Sequence, residues 1–201
     1  MKSKILILFA ICCCLAMQIV SADETKQPAM NDQMKEGMAK WMAYATPGMA
    51  HKSLMNMVGT WDTEVKSYMA PGAPPMVTKG TSKIESIMDG RYVQETAEGM
   101  FNGMPFHGMG VYGYDNMEKK YVTSWVDNMG TGIMSTKGDA SDDGKTMTFT
   151  GMGDDPMSGK EVPMRSVIHW MGKDQYHFEM YGPGPDGKEM KMMEITYTRK
   201  S

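Results

Sequence analysis

Tyr121, Thr123, Trp125 and Asp127 alternate along one stretch, so on a strand all four share a face. If that face is interior, an aromatic wall carrying a carboxylate is a binding surface. A buried charge needs a partner, and Arg91 or Arg165 is available to supply one. If it is exterior, the same residues form an ordinary strand end entering a turn. Arg91, Tyr121, Trp125, Asp127 and Arg165 are therefore the ligand-binding candidates. A second cluster is softer: Met100, Met104, His107 and Met109 fall around Asn102-Gly103, and thioethers with imidazole suit Cu(I). Strand alternation puts Met104 and Met109 on opposite faces of a hairpin, so these four are expected not to share an ion, and no metal site is assigned. His169 and His177 face each other in a hairpin centred on Lys173, on its polar face, with no third ligand nearby. They are expected to be a solvated pair. Asp142-Asp143 and Asp154-Asp155 each abut Gly or Pro and lack calcium-loop spacing, which is turn chemistry. No catalytic residue is assigned, since nucleophile-elbow, zinc-protease, phosphate-loop and dinucleotide motifs are absent.

The elements that must position these residues are short. After His51 the chain alternates in apolar character, and nine turn signals interrupt it. They run from Pro71-Gly72-Ala73-Pro74-Pro75 through Asp89-Gly90, Asn102-Gly103 and Asp142-Asp143-Gly144 to the Pro183–Gly187 segment. Nine breaks predict about ten strands. Even spacing with no helical period between them predicts an antiparallel meander, and closing it removes both edges. A two-sheet sandwich is the alternative. Upstream, Met30, Met34, Met38, Trp41 and Met42 recur at helical spacing before Thr46-Pro47-Gly48, predicting a helix over 31–45 whose stripe packs on the barrel.

Residues 1–22 read as a signal peptide: Lys2 and Lys4, an apolar run from Ile5 to Ala16, and the small-residue site Val20-Ser21-Ala22. The expected organisation is that peptide, then a polar segment and amphipathic helix over 23–50, then a barrel over 51–201. Localisation is expected to be extracytoplasmic, periplasmic or secreted, with no membrane insertion after cleavage. All three cysteines, Cys12 to Cys14, lie in the apolar run, so a mature chain has no thiol chemistry; a lipoprotein is the lesser alternative. The formal charge of −3 and the scattering of lysines among carboxylates argue against nucleic acid as a partner. Methionine stands at 27 residues, while Leu54 is the one leucine beyond the leader. Methionine is therefore expected to fill the core in place of leucine, with an oxidant sink or copper handling as alternatives.

In a closed meander the first and last strands are neighbours, which brings Gly59-Thr60-Trp61 to Arg199 and predicts a guanidinium over the indole as the barrel closure. Several motifs follow in order: Val58-Gly59-Thr60-Trp61, Gly90-Arg91-Tyr92, Gly103-Met104-Pro105-Phe106-His107-Gly108, Trp125-Val126-Asp127-Asn128-Met129-Gly130, Pro185-Asp186-Gly187-Lys188-Glu189 and Thr196-Tyr197-Thr198-Arg199. Over about residues 34–200 the chain closely resembles the bacterial domain-of-unknown-function 1579 family. The resemblance implies a mainly β, calycin-like barrel in an often exported protein and carries no activity or cofactor. The expected function is a non-enzymatic barrel holding a small apolar or amphipathic ligand. Its rivals are a small-molecule hydrolase or isomerase in the same cavity, a filled structural barrel, and a methionine-rich copper or redox-buffering protein. The cofactor and the oligomeric state are not legible in the residues.

Overall fold

The structure, a computed structural model, describes residues 31–201. The expected signal peptide lies outside the described residues. Helix α1 spans Asp32–Ala45 and short α2 spans Met49–Leu54, running into a 3₁₀ turn over Met55–Met57. Ten strands follow: β1 Gly59–Ser67, β2 Met76–Ile87, β3 Tyr92–Phe101, β4 Met104–Asp115, β5 Lys120–Asp127, β6 Met134–Ala140, β7 Thr146–Asp155, β8 Lys160–Trp170, β9 Gln175–Pro183 and β10 Glu189–Arg199. Each pairs antiparallel with its sequence neighbours, and β1 pairs with β10, from Trp61 opposite Arg199 to Ser67 opposite Met193. The sheet is a closed ten-stranded barrel. Every turn signal in the sequence falls at a junction of two consecutive strands, some overlapping a strand's last residues, and His169 pairs with His177 as the hairpin register requires.

Alternation sorts the side chains. Trp61, Ile84, Val93, Tyr112, Phe149, Ile168, Tyr176 and Tyr197 point inward at the end where β1 begins and β10 ends, and all are buried. Leu54 and Met57 from the short helices plug that end. The plug is aromatic at its centre: the Trp61 ring meets Tyr176 edge-on at 4.9 Å, and Tyr176 stacks on Tyr197 at 4.2 Å. The expectation that methionine replaces leucine in the core is thus not met. Of the described methionines only Met57 and Met147 are buried, while Met69, Met88, Met117 and Met157 sit exposed on or beside turns. Aromatic rings supply more apolar area per inward position, leaving methionine to turns and to the other end of the barrel.

Helix α1 forms where expected. Asn31 caps it by accepting the Met34 amide at 2.9 Å, and the backbone leaves helical geometry at Thr46, ahead of Pro47. Its expected packing is overturned: Trp41 is 62% exposed and Met34, Met38 and Met42 are each more than half exposed. The helix is tethered instead at its C-terminal end, where Asn116 Nδ2 donates to the carbonyls of Tyr44 and Thr46 at 2.8 and 2.9 Å. A stripe can be apolar and still find nothing to cover it when the helix leaves the barrel at its last turn.

Candidate functional site

Closure comes first, because it decides which end can open. Gly59 has φ of 146°, a value that strains other residues, and a Cβ there would collide with the Arg199 guanidinium. Freed of that clash, Arg199 Cζ lies 4.0 Å from the Trp61 ring centroid. Its Nη1 donates to the Val58 carbonyl at 2.8 Å and its Nη2 to that of Asn56 at 3.0 Å. Trp61 Nε1 donates to the Met57 carbonyl at 2.9 Å, so indole and guanidinium together tie the helical plug to both ends of the sheet. Nearby, His51 is buried, its Nδ1 accepts the Gly48 amide at 3.0 Å, and desolvation lowers its pKa.

One layer above the plug the inward positions turn polar: Thr63, Ser82, Glu95, Thr123, Thr136 and Ser166. Glu95 is 1% exposed. Ser82 Oγ and Tyr197 OH donate to one of its oxygens at 2.7 and 3.0 Å, and Tyr112 OH donates to the other at 3.1 Å. Among the described residues no cation reaches it. Burial raises the Glu95 pKa against these three hydroxyls, and it also raises those of Tyr112 and Tyr197. Tyr176 OH, buried beside them, has no hydrogen-bond partner among the described residues. Sequence reasoning missed this cluster. Its signal was Val93-x-Glu95-x-Ala97, a carboxylate inside an apolar alternation.

Above Glu95 the barrel changes character. The inward residues Val65, Phe106, Trp125, Met134, Met164, Phe178, Met180, Met193 and Ile195 are only partly buried, although they face the axis. Part of each of these side chains stays accessible, in contrast to the sealed ones at the plugged end, and this end is the mouth of the barrel. Pairing of Tyr112 with Thr123 and of Gly110 with Trp125 places Tyr121, Thr123, Trp125 and Asp127 on the inner face. Tyr121 is buried against Tyr114 near the plug and shares a 2.9 Å hydrogen bond with Ser53 Oγ, while Trp125 lies toward the mouth. The Trp125 ring lies across Gly108 and Gly110, where any side chain would occupy its place. Its Nε1 donates to Asp127 Oδ2 at 2.9 Å, and the Met129 amide donates to Asp127 Oδ1 at 2.9 Å. The indole and a turn amide thus serve the carboxylate.

Neither candidate arginine joins them. Arg165 faces outward, stacks 3.9 Å over the Tyr181 ring and grips Glu189 with two hydrogen bonds, at 2.9 and 2.7 Å. Arg91 sits in the β2–β3 turn, donating to the Met88 carbonyl at 3.2 Å with Asp89 at 3.8 Å. Met100, His107 and Met109 lie on the outer face by register, and Met104 on the opposite one, so the four do not converge. On the outer wall of β5–β7 a concavity of about 580 Å³ is lined by Glu118, Lys120, Lys137 and Asp139, which pair among themselves. No group of three His, Cys, Asp or Glu side chains able to hold a metal occurs among the described residues. Likewise, no described helix is long and apolar enough to cross a membrane.

No curated protein matches the chain. Among solved structures it is similar to Rv2717c from M. tuberculosis, with 14% identity over 78% of this chain and 100% of that one, at a TM-score of 0.57. It is also similar to a redesigned β-barrel, mFAP0, bound to DFHBI, with 13% identity over 72% and 99% of the two chains and a TM-score of 0.40. The first likeness supports the fold and nothing beyond it. Residues 46–199 match the family described as protein of unknown function DUF1579, and the chain belongs to that family.

Proposed function

We propose that this protein is an exported, non-enzymatic barrel that holds a small apolar or amphipathic ligand in the open half of its lumen. One observation carries the proposal: the same inward alternation yields sealed residues around Trp61 and partly exposed ones around Trp125, Met180 and Ile195. An apolar wall above a layer of hydroxyls suits a ligand with an apolar body and a polar end pointing down. Thr123 and Thr136 hydroxyls, 2.7 Å apart, stand at that level and have acceptor capacity to spare. The anilinonaphthalene sulfonate dye tests the site directly. It should bind with one-to-one stoichiometry and quench Trp125. Ser166→Phe, which fills the lumen, should abolish binding, and outward-facing Thr148→Phe should leave it intact. Equal binding by both variants would place the dye on the outer surface and end the proposal. For export, the periplasmic or secreted fraction should contain a chain starting near Asp23.

A second reading is favoured by Glu95, because a buried carboxyl with a raised pKa is the equipment of a general acid. Tyr112, Tyr197 and Ser82 occupy its oxygens, so such chemistry requires a substrate that displaces one of them. Turnover of a small ester or enone that is lost in Glu95→Gln would favour this reading over simple binding.

A further inference from the structure

Methionine and glycine alternate from strand to strand around one side of the mouth. Across β6 to β10 the inner wall carries Met134, Gly153, Met164, Gly182 and then Met190 with Met192; in the ladder Gly153 pairs with Val162 and Met164 with Gly151, so the Met164 side chain leans diagonally over Gly153. The glycines leave room, and the thioethers fill it. A Cβ on Gly182 would lie 2.6 Å from Met192 Sδ and 3.0 Å from Met164 Sδ, so two sulfurs from strands β10 and β8 meet over one point on β9. On the other side of Met164, a Cβ on Gly153 would lie 3.7 Å from Met164 Sδ and 4.0 Å from Met134 Sδ. Met192 reaches this place because the β9–β10 register shifts between Lys191 and Met193, which turns an extra residue toward the lumen.

We propose that Met134, Met164 and Met192 form a binding site for a soft monovalent cation, Cu(I), at the barrel mouth. Three neutral thioethers from three strands are a donor set that prefers soft ions and offers little to Zn²⁺, Ca²⁺ or Mg²⁺. Met164 and Met192 already meet over Gly182, and Met134, on the far side of Met164, joins them by turning its side chain. Each sulfur sits at the end of a flexible chain of single bonds, and the glycines between them present no side chain to clash. The residues lie inward and only partly buried, so an ion reaches them from the open end without passing the plug. Binding is a ligand exchange with no change of oxidation state, and the site is distinct from the hydroxyl layer around Glu95.

The test is a competition titration of the full mature chain with Cu(I) against bathocuproine disulfonate, repeated with redox-inert Ag(I). One equivalent should bind. Met164→Leu and Met192→Leu keep apolar volume and should preserve the circular dichroism spectrum, while each weakens binding by on the order of tenfold or more, the scale on which metal sites respond to altered surroundings. Met100→Leu and His107→Ala on the outer face should bind as the wild type does. Absence of binding, or binding unchanged in both Met164→Leu and Met192→Leu, overturns the site. Several weak equivalents, reduced equally by Met100→Leu, overturn it as well, since that is adventitious uptake by surface thioethers.

Discussion

The two ends of this barrel share ten strands and one rule of alternation, yet they solve opposite problems. At the plugged end, inward positions carry Trp61, Tyr112, Phe149, Tyr176 and Tyr197, large rings that meet across the axis and exclude water. Toward the mouth, inward positions carry several methionines and glycines beside Val65, Phe106, Phe178, Ile195 and one indole lying flat on Gly108 and Gly110, and these side chains are only partly buried. Ring volume and rigidity make a floor, while slender thioethers over glycines make a pliable wall. The difference shows that a strand's contribution to stability and to binding can be segregated along its own length.

Mutations should expose this gradient. Trp61→Ala removes the fully buried centre of the plug and the platform under Arg199, and should cost about 3–5 kcal/mol, read as the shift in urea midpoint. A loss under about 1 kcal/mol would mean that the floor is not where stability resides.

Glu95, at the boundary between the halves, comes next. Glu95→Ala strands three buried hydroxyls and should cost about 1–3 kcal/mol. Its sign with pH is opposite to that of the outer carboxylates. Desolvation raises the Glu95 pKa, so its stabilising contribution is complete below the ordinary value of 4.5 and is lost as pH rises through the raised value. Glu194 on the outer wall is held down by Lys191, with Lys66 assisting, so its contribution is present at neutral pH and lost as pH falls below 4.5. Melting temperature followed from pH 4.5 upward should therefore decline in the wild type relative to Glu95→Gln. Parallel curves for the two proteins would put the proton elsewhere.

Arg199→Ala should cost about 1–2 kcal/mol, since the guanidinium contributes a cation–π contact and carbonyl hydrogen bonds at a partly exposed site. Met180→Leu at the mouth should change stability by about 0.5 kcal/mol or less. If it matched Trp61→Ala in effect, the mouth would be packed and the two ends alike.

Much of this architecture is legible in the sequence. Nine turns marked by Gly, Pro, Asn and Asp count ten strands because those residues act locally. The His169–His177 register followed from apolar parity within one hairpin. Parity could not say which face of Tyr121–Asp127 is interior, because that depends on Gly108 and Gly110 in the neighbouring strand, a relation absent from β5 itself. Glu95 was illegible for a similar reason: two of its three donors, Tyr112 and Tyr197, come from β4 and β10. The thioethers over Gly153 and Gly182 come from three different strands, so inspection of Met-x-x-Met spacing could not reveal them. Helix α1 was legible as a helix and misjudged as a packing element, since amphipathicity shows what a segment can cover but not whether a surface lies within reach.

The pairing of β1 with β10 has a kinetic consequence. The first strand stays half-paired until the last one has been made, so a nascent chain carries two bare sheet edges through most of its synthesis. Arg199 lies on that last strand, and the latch over Trp61 waits for it. Loss of the last strand would leave β1 and β9 exposed as templates for the next molecule, so the route to aggregates runs through an unlatched barrel rather than a melted one.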